Sequence, residues 1–187
     1  MERILVVGVT GAGKSTLAHT LSIRLRLPYH EMDALYFNGP SWATNSELTE
    51  DVSKVTATPR WIIDSLGYPE VRDLLWDRAD TVIWLDYPKH VIMPRVLRRS
   101  LRRTVTGEVL FGGNRETWTD WLHREHPAWW AWTQHGPRHR EIEHRLRDPR
   151  FAPLHTLHFR RPRDTTAWLT TLPPAGPDPR TATSPTD

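Results

Sequence analysis

The chain of 187 residues contains no cysteine. This absence excludes disulfide scaffolds, thiolate zinc sites, iron–sulfur clusters and cysteine nucleophiles, and it fits a reducing compartment. Long apolar runs are also missing. Near the N-terminus only Ile4 to Val7 form an unbroken apolar run, too short for the core of a signal peptide or for a spanning helix. We therefore expect a cytoplasmic protein that is neither secreted nor inserted into a membrane.

Lysine is scarce, although the chain is basic overall. Of the 25 basic residues only three are lysines, Lys14, Lys54 and Lys89, and the remaining 22 are arginines. The formal net charge is +3 and the isoelectric point is about 9.6. A basic chain is a candidate for nucleic-acid binding when its charge is clustered. Here 11 arginines and six acidic residues lie between Arg95 and Arg147, so the positive surplus is confined to one segment.

The pattern of apolar residues predicts one globular α/β domain over residues 1–172, followed by a disordered, proline-rich tail at 173–187. Short apolar strands are predicted at 3–9, 61–63, 81–85 and 154–159. Helices are predicted from residue 14 to about 27 and at 46–57, 69–78, 91–103 and 164–172. We expect a loop at 104–116 and a helical region at 117–147 with breaks at Pro127 and at Gly136–Pro137. Strands that alternate with helices predict a parallel sheet covered on both faces.

A glycine-rich segment follows the first predicted strand. Residues 8–15 match the G-x-x-x-x-G-K-[ST] pattern of a phosphate loop, and they lie between a strand and a helix, as that pattern requires. Glycines let backbone N–H groups turn towards phosphate oxygens, and the helix adds its positive end. We expect Lys14 to reach the β- and γ-phosphates of ATP and Ser15 to bind Mg²⁺. The predicted nucleotide-binding residues are Gly8, Val9, Thr10, Gly11, Ala12, Gly13, Lys14, Ser15 and Thr16.

Two aspartates follow neighbouring predicted strands. Asp64 comes directly after the strand at 61–63, and Asp86 after the strand at 81–85. In a phosphate-loop fold a carboxylate at the carboxyl end of a neighbouring strand is well placed to hold Mg²⁺. We favour Asp64 for this role, with Asp86 as the alternative, and either residue is also suited to capping the segment that follows it.

The predicted helix at 91–103 carries five arginines. Arg95 and Arg99 are four residues apart and share a face of the helix. Arginines that close over a transferring phosphoryl group stabilise the negative charge on it, so both residues are candidate catalytic groups. The alternative is a solvated basic face.

These motifs together resemble the adenylate-kinase-like nucleoside and nucleotide kinases. More narrowly, the sequence is similar to a bacterial group known as topology modulation proteins. The resemblance covers about residues 1–172, and the segments that carry it are the phosphate loop, 27–35, Trp42, 61–64, 79–86, the Arg95-x-x-x-Arg99 pair and 113–116. It implies a P-loop NTPase fold with a helical, arginine-rich lid at about 100–135, and an ATP- and Mg²⁺-dependent transfer of a phosphoryl group to a small molecule.

The resemblance also implies roles for single residues. Asp33 matches the acceptor-binding region, where an aspartate orients or deprotonates the acceptor hydroxyl, although it equally suits a surface or capping position. Arg95 and Arg99 match the arginines at the start of the lid. Arg115 is a weaker lid candidate, and Arg138 and Arg140 resemble the arginines that complete the charge clamp. The sequence departs from the group at 64–68, where Asp-Ser-Leu-Gly-Tyr replaces the usual Asp-Gly-Asn-Tyr. If this loop contacts the acceptor, the departure implies a different substrate or lost turnover.

Two further clusters carry less information. Five tryptophans between residues 118 and 132 are suited either to stacking a flat ligand or to packing between lid and body, and we favour packing. Histidines at 123, 126, 135, 139 and 144 form no recognised metal motif. The acceptor therefore stays open among nucleotides, nucleosides and hydroxylated metabolites. The alternatives to a kinase are an ATP-binding protein associated with nucleic acid and a nucleotide-gated switch.

Overall fold

The computed structural model describes residues 1–37, 39, 42–109, 113–114 and 127–174. Within these ranges five strands form one parallel sheet in the order β2-β3-β1-β4-β5. The strands are β1 (Arg3–Gly8), β2 (Tyr29–His30), β3 (Trp61–Ile63), β4 (Thr81–Leu85) and β5 (His155–Phe159). The predicted α/β fold with a parallel sheet flanked by helices is confirmed.

Seven helices accompany the sheet in the described residues. They are α1 (Lys14–Leu25), α2 (Met32–Tyr36), α3 (Leu48–Thr56), α4 (Arg72–Arg78), α5 (Lys89–Thr106), α6 (Pro127–Arg147) and α7 (Pro162–Thr171), and a short 3₁₀ helix spans Pro149–Phe151. The central strand β1 is apolar from Ile4 to Val7 and is buried on both faces, as expected for a strand inside a parallel sheet. One face packs on α3, α4 and α6, and the other packs on α1, α5 and α7.

Two predicted boundaries are wrong. Helix α5 continues beyond residue 103 to Thr106 and ends where Gly107 adopts a left-handed conformation with φ 62°, so the predicted loop begins later. Helix α6 passes through Gly136–Pro137 without a break. Helix α6 begins at Pro127, and residues 117–126 lie outside the described part of the chain, so the predicted break at Pro127 stays a prediction. Packing of Ala131 and Ile142 into the two cores holds both halves of α6 in place.

Sequence reasoning missed two small elements between α1 and α3. Strand β2 has two residues and α2 has five, so neither produces a readable periodicity. They form because Tyr29 and His30 pair with Ile62 and Ile63 of β3. The predicted tail lies outside the described residues from 175 onwards. No helix in the described ranges has the length and apolar character needed to span a membrane.

Candidate active site

The loop between β1 and α1 has a shape that its glycines require. Gly8 has φ 146°, and a Cβ at this position would lie 2.6 Å from the carbonyl oxygen of Leu85 on the neighbouring strand. Gly13 has φ 93° in the left-handed region and forms the N-cap of α1. A side chain at either position would be strained, so the loop curls tightly at the carboxyl edge of the sheet. Residues 8–15, the phosphate loop, therefore sit where the positive end of α1 faces outward.

Lys14 folds back over the phosphate loop. Its Nζ donates a hydrogen bond to the Val9 carbonyl oxygen at 3.2 Å. Burial lowers the pKa of Lys14, the charges of Arg99 and Arg138 lower it further, and Asp64 and Asp33 oppose the shift. Several cations thus converge at this end of the loop, an arrangement suited to an anionic ligand with more than one negative charge.

Ser15 and Asp64 meet directly. The Ser15 hydroxyl donates a hydrogen bond to one carboxylate oxygen of Asp64, and the other oxygen accepts a hydrogen bond from the Met32 backbone N–H at 3.2 Å. Asp64 is buried with only 7% of its surface exposed. Burial raises the pKa of Asp64, whereas its hydrogen bond from Ser15 and the charge of Lys14 lower it. A hydroxyl and a carboxylate are the oxygen ligands that Mg²⁺ prefers, so the pair predicted from the sequence fits that ion.

Asp33 lies on α2 with its carboxylate exposed. One of its oxygens accepts a hydrogen bond from the Tyr68 hydroxyl at 3.0 Å. The Tyr68 ring stacks on Tyr36, with ring centroids 3.5 Å apart and planes 9° from parallel. Burial and the nearby Asp33 charge raise the pKa of Tyr68. The segment at 64–68, where the sequence departs from the group it resembles, therefore contacts the predicted acceptor carboxylate.

Glu31 is a site residue that sequence reasoning missed. Burial and the charges of Asp64 and Asp33 raise its pKa to about 7, and the charge of Arg103 opposes this shift. The signal was present, since Glu31 follows His30 of β2 and so stands at the same carboxyl edge of the sheet as Asp64. Recognising it required knowing that a two-residue strand ends there.

Three arginines approach the phosphate loop. Arg95 on α5 donates a hydrogen bond to the Ala12 carbonyl oxygen at 3.5 Å, and its guanidinium lies 5.5 Å from the centre of the Tyr87 ring. Arg99 on α5 and Arg138 on α6 both act on Lys14. Of the other candidates, Arg140 is exposed, and Arg115 lies outside the described residues.

Asp86 and the tryptophans on α6 lie in surroundings that differ from those predicted from the sequence. Asp86 binds two histidines, His139 and His158, so the structure gives this alternative metal ligand a different set of partners. Trp129 and Trp132 have 55% and 52% of their surfaces exposed, which makes the packing interpretation wrong for these two side chains. No group of three potential metal-binding side chains occurs among the described residues.

No model of a known protein family matches the sequence, and no curated protein matches it either. Solved structures do match the fold. Shikimate kinase from Acinetobacter baumannii, in complex with shikimate, aligns with a TM-score of 0.52 and 16% identity over 91% of this chain and 92% of that chain. Shikimate kinase from Aquifex aeolicus aligns with a TM-score of 0.50 and 15% identity over 90% and 94%. The chain therefore shares the fold of these two structures, while the adenylate-kinase-like subtype and the topology modulation group are not confirmed.

Proposed function

We propose that the protein is an ATP-dependent phosphotransferase that moves the γ-phosphoryl group of ATP to a small-molecule acceptor. The observation that carries this proposal is the direct contact of Ser15 with the buried Asp64 beside Lys14, at the carboxyl edge of the sheet. Burying an ionised carboxylate costs free energy. A glycine-rich turn that binds nothing would therefore not require the buried Asp64 to contact the Ser15 hydroxyl.

The triphosphate of ATP binds to the phosphate loop and Thr16 in this proposal. Backbone N–H groups of the loop and the start of α1 hold the phosphate oxygens, and Lys14 contacts the β- and γ-phosphates. Arg95, Arg99 and Arg138 approach from α5 and α6 and stabilise the charge on the transferring group. The hydrogen bond from Arg95 to the Ala12 carbonyl oxygen, and the effect of Arg99 and Arg138 on the pKa of Lys14, support their presence at this end of the loop.

Ser15 and Asp64 would hold Mg²⁺, since their oxygens fit this ion and are already adjacent. When bound, Mg²⁺ supplies positive charge to the β- and γ-phosphates. Met32 positions the Asp64 carboxylate through its backbone N–H. Glu31 adds a second carboxylate whose pKa is raised by burial and then by the charges of Asp64 and Asp33.

The acceptor lies on the side of Asp33 and the loop at 64–68. Asp33 accepts a hydrogen bond from one hydroxyl already, so it is equipped to orient an acceptor hydroxyl and to take its proton. The acceptor oxygen forms the new bond to the γ-phosphorus, the bond to the ADP oxygen breaks, and the proton passes to Asp33. The two similar structures are shikimate kinases, one with shikimate bound, which supports a small hydroxylated acceptor. Nucleotides and nucleosides also meet this requirement.

The test is calorimetry with Mg-ATP, followed by mass spectrometry after incubation with a metabolite extract. We expect Mg-dependent ATP binding and a product heavier by about 80 Da, the mass of one phosphoryl group. The Lys14→Ala variant should lose most turnover, whereas Lys54→Ala, which removes an exposed lysine paired with Glu50 on α3, should behave as the wild type. An intact protein that binds no Mg-ATP would overturn the proposal.

A further inference from the structure

The proposed reaction assigns no role to Tyr68, although this residue contacts the proposed base. The Tyr68 hydroxyl donates a hydrogen bond to Oδ1 of Asp33 at 3.0 Å. The Tyr68 ring stacks on Tyr36, with ring centroids 3.5 Å apart and planes 9° from parallel. Asp33 and Tyr36 are three positions apart on α2 and share one face of that helix. Tyr68 therefore lies along this face and contacts both residues at once.

The Asp33 carboxylate has little else to hold it in place. The residue is exposed, and α2 is only five residues long. Its second oxygen, Oδ2, accepts no hydrogen bond from any residue that the structure describes. An exposed aspartate side chain samples several rotamers, whereas a general base works only within hydrogen-bond reach of the proton that it takes. The contact with Tyr68 thus restrains one oxygen of a side chain that would otherwise rotate.

The backbone that leads to Tyr68 is anchored by two side chains of α4. Nε of Arg72 donates a hydrogen bond to the Gly67 carbonyl oxygen at 3.0 Å, and Nε1 of Trp76 donates one to the Leu66 carbonyl oxygen at 3.1 Å. Both donors are enclosed, since the Arg72 side chain is 13% exposed and Trp76 is 1% exposed. Tyr68 is therefore held from two sides, by the loop fixed to α4 and by the ring stacked on α2.

We propose that Tyr68 is a positioning residue, which holds Oδ1 of Asp33 so that Oδ2 faces the acceptor hydroxyl. The inference rests on the proposed function, in which Asp33 is the base. The acceptor oxygen bonds to the γ-phosphorus, the bond to the ADP oxygen breaks, and the acceptor proton moves to Oδ2 of Asp33. The Tyr68 hydroxyl keeps its own proton throughout. The altered sequence at 64–68 then keeps the base in its working position and does not imply lost turnover.

The same contact would have the opposite effect if the Tyr68 hydroxyl stood where the acceptor hydroxyl has to bind. Tyr68 would then have to withdraw from Asp33 before each transfer. Withdrawal would break the stack on Tyr36 or shift the loop away from Arg72, which is not expected of a group that moves in every cycle. The two roles predict opposite changes in turnover when the hydroxyl is removed.

The first test is a double-variant cycle in the full chain without ligand, measured by urea unfolding. Tyr68→Phe keeps the stacked ring and removes only the hydroxyl. It should raise the unfolding equilibrium constant about fivefold, as expected for one lost hydrogen bond. In an Asp33→Ala background the same substitution should raise this constant by no more than about twofold, because the effects of two residues in contact are not additive.

Tyr87→Phe is the matched control for this cycle. Its hydroxyl is also engaged, at 2.6 Å from Oγ1 of Thr165 on α7. Tyr87 belongs to the core on the other face of the sheet, whereas Tyr68 packs against the core beneath α3, α4 and α6. Tyr87→Phe should therefore raise the unfolding constant by the same factor with and without Asp33. A coupling of Tyr68 to Asp33 no larger than that of Tyr87 would overturn the proposal.

The second test separates turnover from binding. ADP formation from Mg-ATP is followed over a dilution series of a metabolite extract, and ADP formed without the extract is subtracted. Tyr68→Phe should lower kcat about tenfold, because a small misplacement of a catalytic group is costly. The dissociation constant for Mg-ATP and the half-saturating dilution of the extract should stay within about twofold of the wild-type values. In Asp33→Ala the same substitution should lower kcat by no more than about twofold further.

The kinetic outcomes distinguish the possible roles of Tyr68. An unchanged kcat in Tyr68→Phe would overturn the proposal, and a higher kcat would show that the hydroxyl obstructs Asp33. A loss of kcat that is equally large in the Asp33→Ala background, or an equal loss of Mg-ATP affinity, would indicate a general structural role and would also overturn it. A wild-type protein that forms no phosphorylated product would count against the proposed function, whereas the unfolding cycle needs no turnover and decides separately whether Tyr68 holds Asp33.

Discussion

Three carboxylates gather beside the phosphate loop in the free protein. The three are Glu31, Asp33 and Asp64, and the pKa values of Glu31 and Asp64 are raised above their ordinary values. Burial is the first cause in each case, and repulsion between like charges adds to it for Glu31. Such a cluster opposes folding, because desolvated acids are less stable when ionised. Its cost is offset when cations enter the site, as expected for a centre that works with Mg²⁺.

Replacement of Glu31 by Gln should stabilise the metal-free protein at alkaline pH. The pKa of Glu31 is about 7 in the folded protein against an ordinary value of 4.5, so folding takes up a proton between these values and stability falls as pH rises through them. At pH 8 we expect Glu31→Gln to be more stable by on the order of 1 kcal/mol, after allowance for the partial exposure of the side chain.

Urea unfolding at pH 4.5 and at pH 8, both without metal, measures this effect. The advantage of Glu31→Gln should shrink towards the lower pH, where the wild-type carboxyl is protonated in the folded state and about half protonated in the unfolded state. The exposed Glu50→Gln on α3 is the control and should show no such trend. An advantage of equal size at both pH values would show that the charge of Glu31 is not its source.

The positions of the phosphate loop and of Asp64 could be predicted because each follows a strand that is recognisable as an unbroken run of apolar residues. Val6 and Val7 lead into the loop, and Ile62 and Ile63 lead to Asp64. Glu31 and Tyr68 could not be predicted in the same way. Their place depends on a two-residue strand and on a ring stacked against Tyr36, and both are tertiary contacts without a local pattern.

At the scale of elements, α5 and α6 together carry the arginines of the candidate site. The sequence predicts α5 well, because its apolar positions Ile92 and Val96 recur at helical spacing and are buried. It predicts α6 poorly, since Gly136 and Pro137 are helix-breaking residues. The helix continues because His135 and His139 bind the end of β4 on either side of the proline. Tertiary contacts override local propensity there.

Helix α5 offers a comparison between two neighbouring arginines. Arg99 acts on Lys14 across the site, whereas Arg98 is exposed. Arg99→Ala should lower kcat by about tenfold or more and should change the affinity for Mg-ATP much less, because its charge counts most when negative charge moves during transfer. Steady-state kinetics and calorimetry on the same preparations separate the two effects.

Arg98→Ala is the matched control for that comparison, because it removes the same charge from the same helix. It should keep both kcat and affinity within about twofold of the wild type. If Arg99→Ala lost affinity and kcat in the same proportion, Arg99 would be a binding residue only. If both variants lost activity equally, the general positive charge of α5 would be responsible.

At the scale of the whole molecule, the sheet order brings separate parts of the chain to one edge. Strand β1 lies between β3 and β4, so the phosphate loop after β1 stands between Asp64 after β3 and Asp86 after β4. The carboxyl edge of a parallel sheet is the usual place for a ligand in such folds. Within the arginine surplus between residues 95 and 147, Arg95 and Arg99 on α5 and Arg138 on α6 approach the phosphate loop from two helices.

The location of this surplus predicts which anion stabilises the protein. Mg-ATP at 100 times its dissociation constant should stabilise the folded state by about 2.7 kcal/mol. For a chain of this size that corresponds to a rise in Tm of roughly 5–10 °C. Duplex DNA should give a smaller rise in Tm that vanishes as salt increases, because contacts with a phosphate backbone weaken steeply with ionic strength.

The measurement is a thermal melt at low and at moderate salt, with Lys14→Ala as the control that should lose the response to Mg-ATP. A shift with DNA that persists in moderate salt, together with no shift from Mg-ATP, would favour a nucleic-acid-binding protein over a small-molecule kinase.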